Sequence, residues 1–175
     1  MQQNKWKAID ITTTALMAAL VFLGTYIFKI PTLSGYVHLG DCMILLTVAL
    51  FGMKKGAIAG AIGAGLADLA GGFVYWVLPT LAIKCMWALV AGAIMYKVMK
   101  GKRFGFIIGA VTGGVLQTIA YTLVRAFLYG SHTAIVEIPA LAFQTLAGSV
   151  LSLVIYKVLE KSGAAAKIHA MVKQA

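Results

Sequence analysis

The sequence predicts an all-α, polytopic membrane protein of six transmembrane helices with both termini in the cytoplasm. Three observations predict it: the composition, the spacing of the apolar runs and the placement of positive charge. Hydrophobic residues make up 61% of the 175 positions, charged residues only 11%, and the mean hydropathy is +0.92. A soluble domain carries about a quarter charged residues, so most of this chain is suited to lipid. The apolar runs fall at about 9–28, 39–51, 56–73, 77–97, 104–127 and 138–157, which makes residues 1–175 a single six-helix membrane domain with no room for a soluble catalytic unit.

The formal net charge of +10 would suit a nucleic-acid partner, but its distribution argues otherwise. Lys5 and Lys7 precede the first run, Lys54 and Lys55 separate the second from the third, and Lys97, Lys100, Lys102 and Arg103 separate the fourth from the fifth. Lys157, Lys161, Lys167 and Lys173 follow the sixth, so 12 of the 15 basic residues share one side of a six-span chain. The positive-inside rule makes that side cytoplasmic. The charge is a topology signal with membrane lipid as its natural contact, and it excludes nucleic acid as the implied partner.

The first span carries Ala8, Thr12, Ala15 and Ala19 on one smooth stripe. Small residues let another helix approach closely in lipid, where burying apolar surface gives no net drive, so the stripe is either an internal packing face or a docking face. The preceding MQQNKWKAIDITTT has no small-residue cleavage site, and the span is expected to be retained.

The second span is unusual. It follows a polar, turn-rich stretch, KIPTLSGYVHLGD at 29–41, and its apolar run of eleven residues at 42–52 reaches only about 16 Å at helical rise. The hydrocarbon core is roughly 30 Å thick. The helix therefore starts well below the outer surface, and the loop dips into the protein, where irregular backbone survives only if buried or lining a cavity. We read 29–41 as a lid over a ligand site, with Asp41 capping the short helix.

Spans three to six each carry a stripe of small residues that turns polar toward the lid side, at Asp68, Lys84, Tyr121 with Arg125, and Gln144. Ionisable groups inside a membrane are costly and mark a functional site or a buried pair. The acids Asp41, Asp68 and Glu137 stand against the bases Lys84 and Arg125, a near-balanced set suited to a small polar or zwitterionic ligand. By depth and face the candidate substrate-binding residues are Tyr36, His38, Asp68, Lys84, Tyr121, Arg125 and Gln144, and Tyr36, Tyr75, Trp76, Trp87 and Tyr121 are candidates to stack a flat ring. The plainer alternatives are an Asp68–Lys84 structural pair, Lys29 and Arg125 snorkelling to headgroups, and Tyr75 and Trp76 as interfacial belt aromatics. Cys42 and Cys85 lie in apolar runs and read as inert buried thiols. The tail from 162 reads as a short amphipathic or frayed end.

Catalytic signals are weak, with no HExxH, GxSxG or Walker A sequence. A membrane-embedded metal enzyme using His38, Asp41 and Asp68 is the rival reading from another class, and an assembly subunit without a ligand is a third.

The segments SGYVHLGDCMILLTVALFG (34–52), KKGAIAGAIGAGLADLAGGF (54–73) and LPTLAIKCMWALVAG (78–92), within a likeness that runs over about 8–160, resemble the substrate-binding S components of energy-coupling-factor (ECF) vitamin transporters, of the riboflavin/hydroxymethylpyrimidine type. The resemblance implies a substrate-binding subunit rather than an enzyme, in the plasma membrane of a prokaryote. It implies a transmembrane coupling (T) subunit and two ATPase subunits as partners, so that ATP is used by the partners and this chain has no cofactor or metal of its own. It also implies docking of the first helix through an AxxxA-type motif, matched here by Ala15 and Ala19. A site built from the first loop and helices four to six, and a toppling motion that carries substrate across, follow from the same resemblance. Among the family's substrates the expectation is hydroxymethylpyrimidine or a B6 vitamer such as pyridoxine, with riboflavin as the alternative.

Overall fold

The computed structural model describes residues 6–100, 102 and 104–174, with side chains as far as Met171. Lys5, Arg103 and the side chain of Lys173, counted above among the basic residues, lie outside the described residues. The helices are α1 (Ala8–Tyr26), α2 (Gly40–Phe51), α3 (Met53–Ala70), α4 (Val74–Ala93), α5 (Gly105–Tyr129), α6 (Ser131–Val136), α7 (Ile138–Lys161) and α8 (Ala164–Gln174). Two two-residue strands, β1 (Ile30–Pro31) and β2 (Tyr36–Val37), pair antiparallel between α1 and α2. The chain is thus mostly helical, but the lid is a small β-ribbon that the all-α reading left out. Four stretches, Ala8–Tyr26, Val74–Val98, Gly105–Tyr129 and Ser131–Lys161, are long and apolar enough to cross a membrane.

The short second helix begins at Gly40 and is about 18 Å long. It packs against α1, α3, α4 and α7, and Ile44, Leu45 and Val48 are fully enclosed. Close approach is what admits it. Gly24 of α1 crosses Gly40 of α2, a Cβ on Gly56 of α3 would strike Val48, and a Cβ on Gly148 of α7 would meet Asp41. In lipid such approaches, which gain dispersion contact, take the place of hydrophobic drive. Gly52, at φ +92°, makes the sharp turn into α3 that a side chain would strain.

Two ends are thereby defined. At one, Asp10 of α1 pairs with Lys55 of α3 at 2.5 Å, and Lys7, Lys54, Lys97, Lys100, Lys102, Lys157 and Lys161 fall at the same helix ends. Here α4 continues into a π-helical turn (Ile94–Val98), which brings the Tyr96 hydroxyl to 2.9 Å and 2.7 Å from the carbonyls of Val48 and Ala49. The Val48 carbonyl also accepts the Gly52 N–H at 2.9 Å, so the tyrosine adds a second donor at the C-terminal end of α2, where carbonyls run short of helical partners. The amphipathic α8 folds back so that Ala165 and Ile168 cover Leu46 and Leu50, and His169 lies 3.3 Å from the Ala49 carbonyl oxygen. At the opposite end lie the β-ribbon, the α3–α4 turn and α6.

Gly63 of α3 lies against the Ala18 carbonyl and Val21 of α1, with no space for a Cβ. Gly63→Val is expected to destabilise the protein by about 1–3 kcal/mol through overpacking of the α1–α3 contact, read as a lower midpoint of thermal unfolding in detergent. An unchanged midpoint would show that this contact is not tight.

Candidate functional site

Beneath the ribbon lies a narrow void lined by Thr25, Gly35, Tyr36, His38, Ala64, Asp68, Phe73, Trp76, Thr80, Tyr121, Arg125, Leu141 and Gln144. It totals about 420 Å³ including its mouth, of which about 40 Å³ admits the centre of a water molecule. Its apolar wall is Phe73, Trp76, Tyr121 and Leu141, which pack in one cluster with Ile83.

Two acids from different helices hold the lid over this void. The Tyr36 hydroxyl donates to Asp68 Oδ1 at 2.5 Å. Burial first, and the Asp68 carboxylate second, hold the phenol far above its ordinary pKa, so it donates as a neutral hydroxyl. The tip of the ribbon is held by Glu137, at the start of α7. Its Oε1 accepts from the Ser34 backbone N–H at 2.6 Å and the Ser34 hydroxyl at 3.0 Å, and its Oε2 accepts from the Thr32 hydroxyl at 3.3 Å. Arg125 Nη2 closes the group with a 2.9 Å ion pair to the same carboxylate, and its guanidinium lies 5.3 Å from the centre of the Trp76 ring.

Deeper still, Lys84 and Asp41 form a 2.5 Å ion pair with neither side chain exposed. Lys84 also donates to Gln117 Oε1 at 2.8 Å, while the amides of Gln117 and Gln144 donate to Asp41 Oδ2 at 2.8 and 3.0 Å. Gln144 joins this pair to the lid, because its Oε1 accepts the His38 backbone N–H at 3.2 Å. His38 Nδ1 accepts from the Gly40 N–H at 3.1 Å, which places the ring proton on Nε2. Burial, with the Lys84 ammonium adding to it and Asp41 opposing, pushes the His38 pKa down to about 3, so the ring is neutral at physiological pH.

Several expectations change. Asp41 is not a simple helix cap: no side-chain cap bond is present, and its carboxylate is the centre of the buried network. The Asp68–Lys84 pair does not form, because Asp41 reaches Lys84 first and Asp68 faces the lid. Lys84 lies below the cavity and is absent from its lining, whereas Tyr36, His38, Asp68, Tyr121, Arg125 and Gln144 line it. Tyr75 points outward, 82% exposed, while its neighbour Trp76 is 5% exposed and forms cavity wall. Trp87 is buried in the bundle core instead. Arg125 does not snorkel, being tied to Glu137. His38, Asp41 and Asp68 are not gathered as ligands, and among the described residues no group of three or more His, Cys, Asp or Glu could hold a metal ion. Sequence reasoning passed over Thr25, Thr80 and the latch role of Glu137. A lone acid opening the sixth span was the available signal for Glu137.

Three of the lining residues carry polar atoms that are buried without a hydrogen-bond partner, Thr25 (Oγ1), Asp68 (Oδ2) and Arg125 (Nε and Nη1), and the Thr80 hydroxyl is a further neighbour of the Asp68 carboxylate. Buried polar atoms are almost always satisfied. Two donors, one acceptor and one group able to act as either thus belong to residues that line one void.

The model of the family described as ECF-type riboflavin transporter, S component, matches residues 5–161. The chain belongs to this family. It is 31% identical over 156 residues, 87% of the chain and 89% of the relative, to the thiamine precursor transporter HmpT of Lactococcus lactis subsp. cremoris (strain MG1363). An uncharacterized protein of the gap 3' region in Pyrococcus woesei is 34% identical over 122 residues, 70% of this chain and 80% of that one. A solved S component of a bacterial ECF transporter shares the fold at a TM-score of 0.69 and 22% identity, over 87% of this chain and 96% of its own. This S component is therefore a membrane transporter subunit for a vitamin or vitamin precursor, in a family of transport proteins rather than enzymes.

The latch has a direct consequence. Glu137→Ala removes the acceptor of the Ser34 N–H and of both lid hydroxyls, a loss of about 1–3 kcal/mol for the groups left unpaired. Hydrogen exchange at 32–37 should accelerate roughly 5- to 100-fold while the α2 and α3 amides keep their protection. Unchanged exchange in the lid would remove Glu137 from this role.

Proposed function

We propose that this S component captures hydroxymethylpyrimidine, with a B6 vitamer such as pyridoxine as the related choice, in the void beneath the lid. The observation that carries the reading is a narrow, aromatic-walled void lined by Thr25, Asp68 and Arg125, residues that between them hold four buried, unpartnered polar atoms. A hydroxymethyl-substituted aminopyrimidine presents an amino donor, ring-nitrogen acceptors and a hydroxyl on one small flat ring. Asp68 Oδ2 can accept from the amino group, and Arg125 Nε and Nη1 can donate to a ring nitrogen or the hydroxyl. Thr25 and the His38 Nε2–H can complete the edge, while Trp76, Phe73 and Tyr121 supply faces for the ring. The resemblance to a thiamine precursor transporter supports the same choice.

Riboflavin is the second reading, favoured by the description of the matching family. Against it stands the narrowness of the void, where only about 40 Å³ admits the centre of a water molecule, so a three-ring ligand with a ribityl chain would have to displace far more of the lid and wall than a single ring. Mass spectrometry of the small molecule that co-purifies in detergent, followed by calorimetric titration of hydroxymethylpyrimidine, pyridoxine and riboflavin, separates the three. Asp68→Asn and Arg125→Ala are each expected to weaken pyrimidine binding by 10- to 100-fold, as a buried hydrogen bond to a charged group is worth about 1.5–3 kcal/mol. Wild-type affinity in both variants would overturn the site assignment. Tight riboflavin binding with no response to the pyrimidine would overturn the substrate.

In the full reading the chain crosses the plasma membrane of a prokaryote six times, with the basic end and both termini cytoplasmic. It works with a T subunit and two ATPase subunits, which supply the ATP chemistry. Support for the docking role of α1 comes from an apolar groove in which Ala15, Ala19 and Phe22 face Ile58, Ile62 and Leu66 of α3. Ala15→Trp or Ala19→Trp is expected to abolish uptake by the assembled transporter and spare vitamin binding by the isolated subunit. Loss of both activities would count against docking there.

A further inference from the structure

A second cleft, remote from the lid, opens at the basic end between the π-helical turn that ends α4, the first turn of α5 and the last turns of α7. It is an open cleft of about 1430 Å³ counted with its mouth, the measure that gives 420 Å³ for the void beneath the lid. Its floor is apolar: Met95, Met99, Leu153 and the Phe106 ring, which stacks on Tyr156 at 5.8 Å between centroids. Its rim is basic, with exposed Lys102, Lys157 and Lys161 against the single acid Glu160. None of the three lysines forms an ion pair among the described residues, where the ion pairs are those of Lys55, Lys84 and Arg125. Three unpaired ammonium groups over an apolar floor match the border between a phosphate-bearing headgroup and its hydrocarbon.

The surroundings distinguish a lipid from free phosphate. Beside the cleft, α5 and α7 expose Phe104 (61%), Val154 (53%) and Val158 (60%), a surface along which acyl chains can continue. Cationic residues at a membrane surface each add about 1 kcal/mol of attraction to anionic lipid, and basic pockets between membrane helices hold anionic headgroups. The Tyr96 hydroxyl is already committed to the carbonyls of α2, so the π-helical turn holds the cleft's edge in place whether or not the cleft is filled.

We propose that this cleft is a binding site for the headgroup of an anionic phospholipid in the leaflet at the basic end, with the phosphate at Lys102, Lys157 and Lys161. The site is independent of the vitamin cavity and of the groove on α1.

The test is native mass spectrometry of the full chain in mild detergent, titrated with phosphatidylglycerol, phosphatidylcholine or inorganic phosphate. Phosphatidylglycerol should bind in preference to phosphatidylcholine. The triple variant Lys102→Gln, Lys157→Gln, Lys161→Gln should weaken phosphatidylglycerol binding by roughly fivefold per lysine, about 100-fold in all, with vitamin affinity unchanged. The corresponding triple lysine-to-arginine variant should retain the lipid. Equal binding of the two lipids, or an unaffected triple glutamine variant, would overturn the proposal. So would displacement of the lipid by millimolar inorganic phosphate, which would identify free phosphate as the ligand.

Discussion

The Asp41–Lys84 ion pair is the constraint on which the rest of the structure depends. Two opposite charges with no solvent exposure, inside a bundle of apolar helices, are tolerable only when their remaining bonding capacity is met. Gln117 and Gln144 meet it, and Gly148 lets α7 come close enough for Gln144 to do so. Asp41 lies one residue into α2, so the same network sets the depth at which the short helix begins. The outer part of the bundle is left to a folded loop, and that loop is the lid.

The lid is in turn held by carboxylates rather than by apolar burial. Asp68 takes the Tyr36 hydroxyl, Glu137 takes the ribbon tip, and Gln144 connects the lid backbone to the central pair. Bonds to charged groups contribute about 1.5–3 kcal/mol each in net terms, so the lid rests on a few discrete contacts rather than on a broad apolar interface. Arg125 stands at the join, with one nitrogen on Glu137 and two others buried without a partner. A ligand that engages the free nitrogens therefore acts on the group that holds the lid. The lid and its void are chemically separate from the basic end, where α2 is closed by Tyr96 and α8.

Much of this was legible in the chain before any coordinates. The deficit of charge, the six apolar runs and the one-sided lysines gave the membrane class. The polar interruption at 29–41 with a helix too short behind it gave the lid, and helical spacing brought Asp68, Tyr121, Arg125 and Gln144 to the lid side of their helices. These are local properties, since periodicity and length are set by the backbone and by the thickness of the solvent that surrounds it.

Pairing was decided by the tertiary structure alone. Asp41, Asp68 and Glu137 are the same kind of group in sequence, yet one is the core of the bundle, one holds a tyrosine and one latches a loop 103 residues away. Which base meets which acid depends on helix rotation and on glycine contacts such as Gly148 with Asp41, and neither is encoded within a single helix. Tyr75 and Trp76 make the same point: adjacent in sequence and alike in chemistry, they are turned about 100° apart by the helix, one toward lipid and one into the cavity. The chain by itself determined that a polar loop folds over the bundle ahead of a short helix, because length and polarity are local. Which side chains line the void beneath it was decided by long-range packing, because a buried charge takes the partner that the fold brings to it.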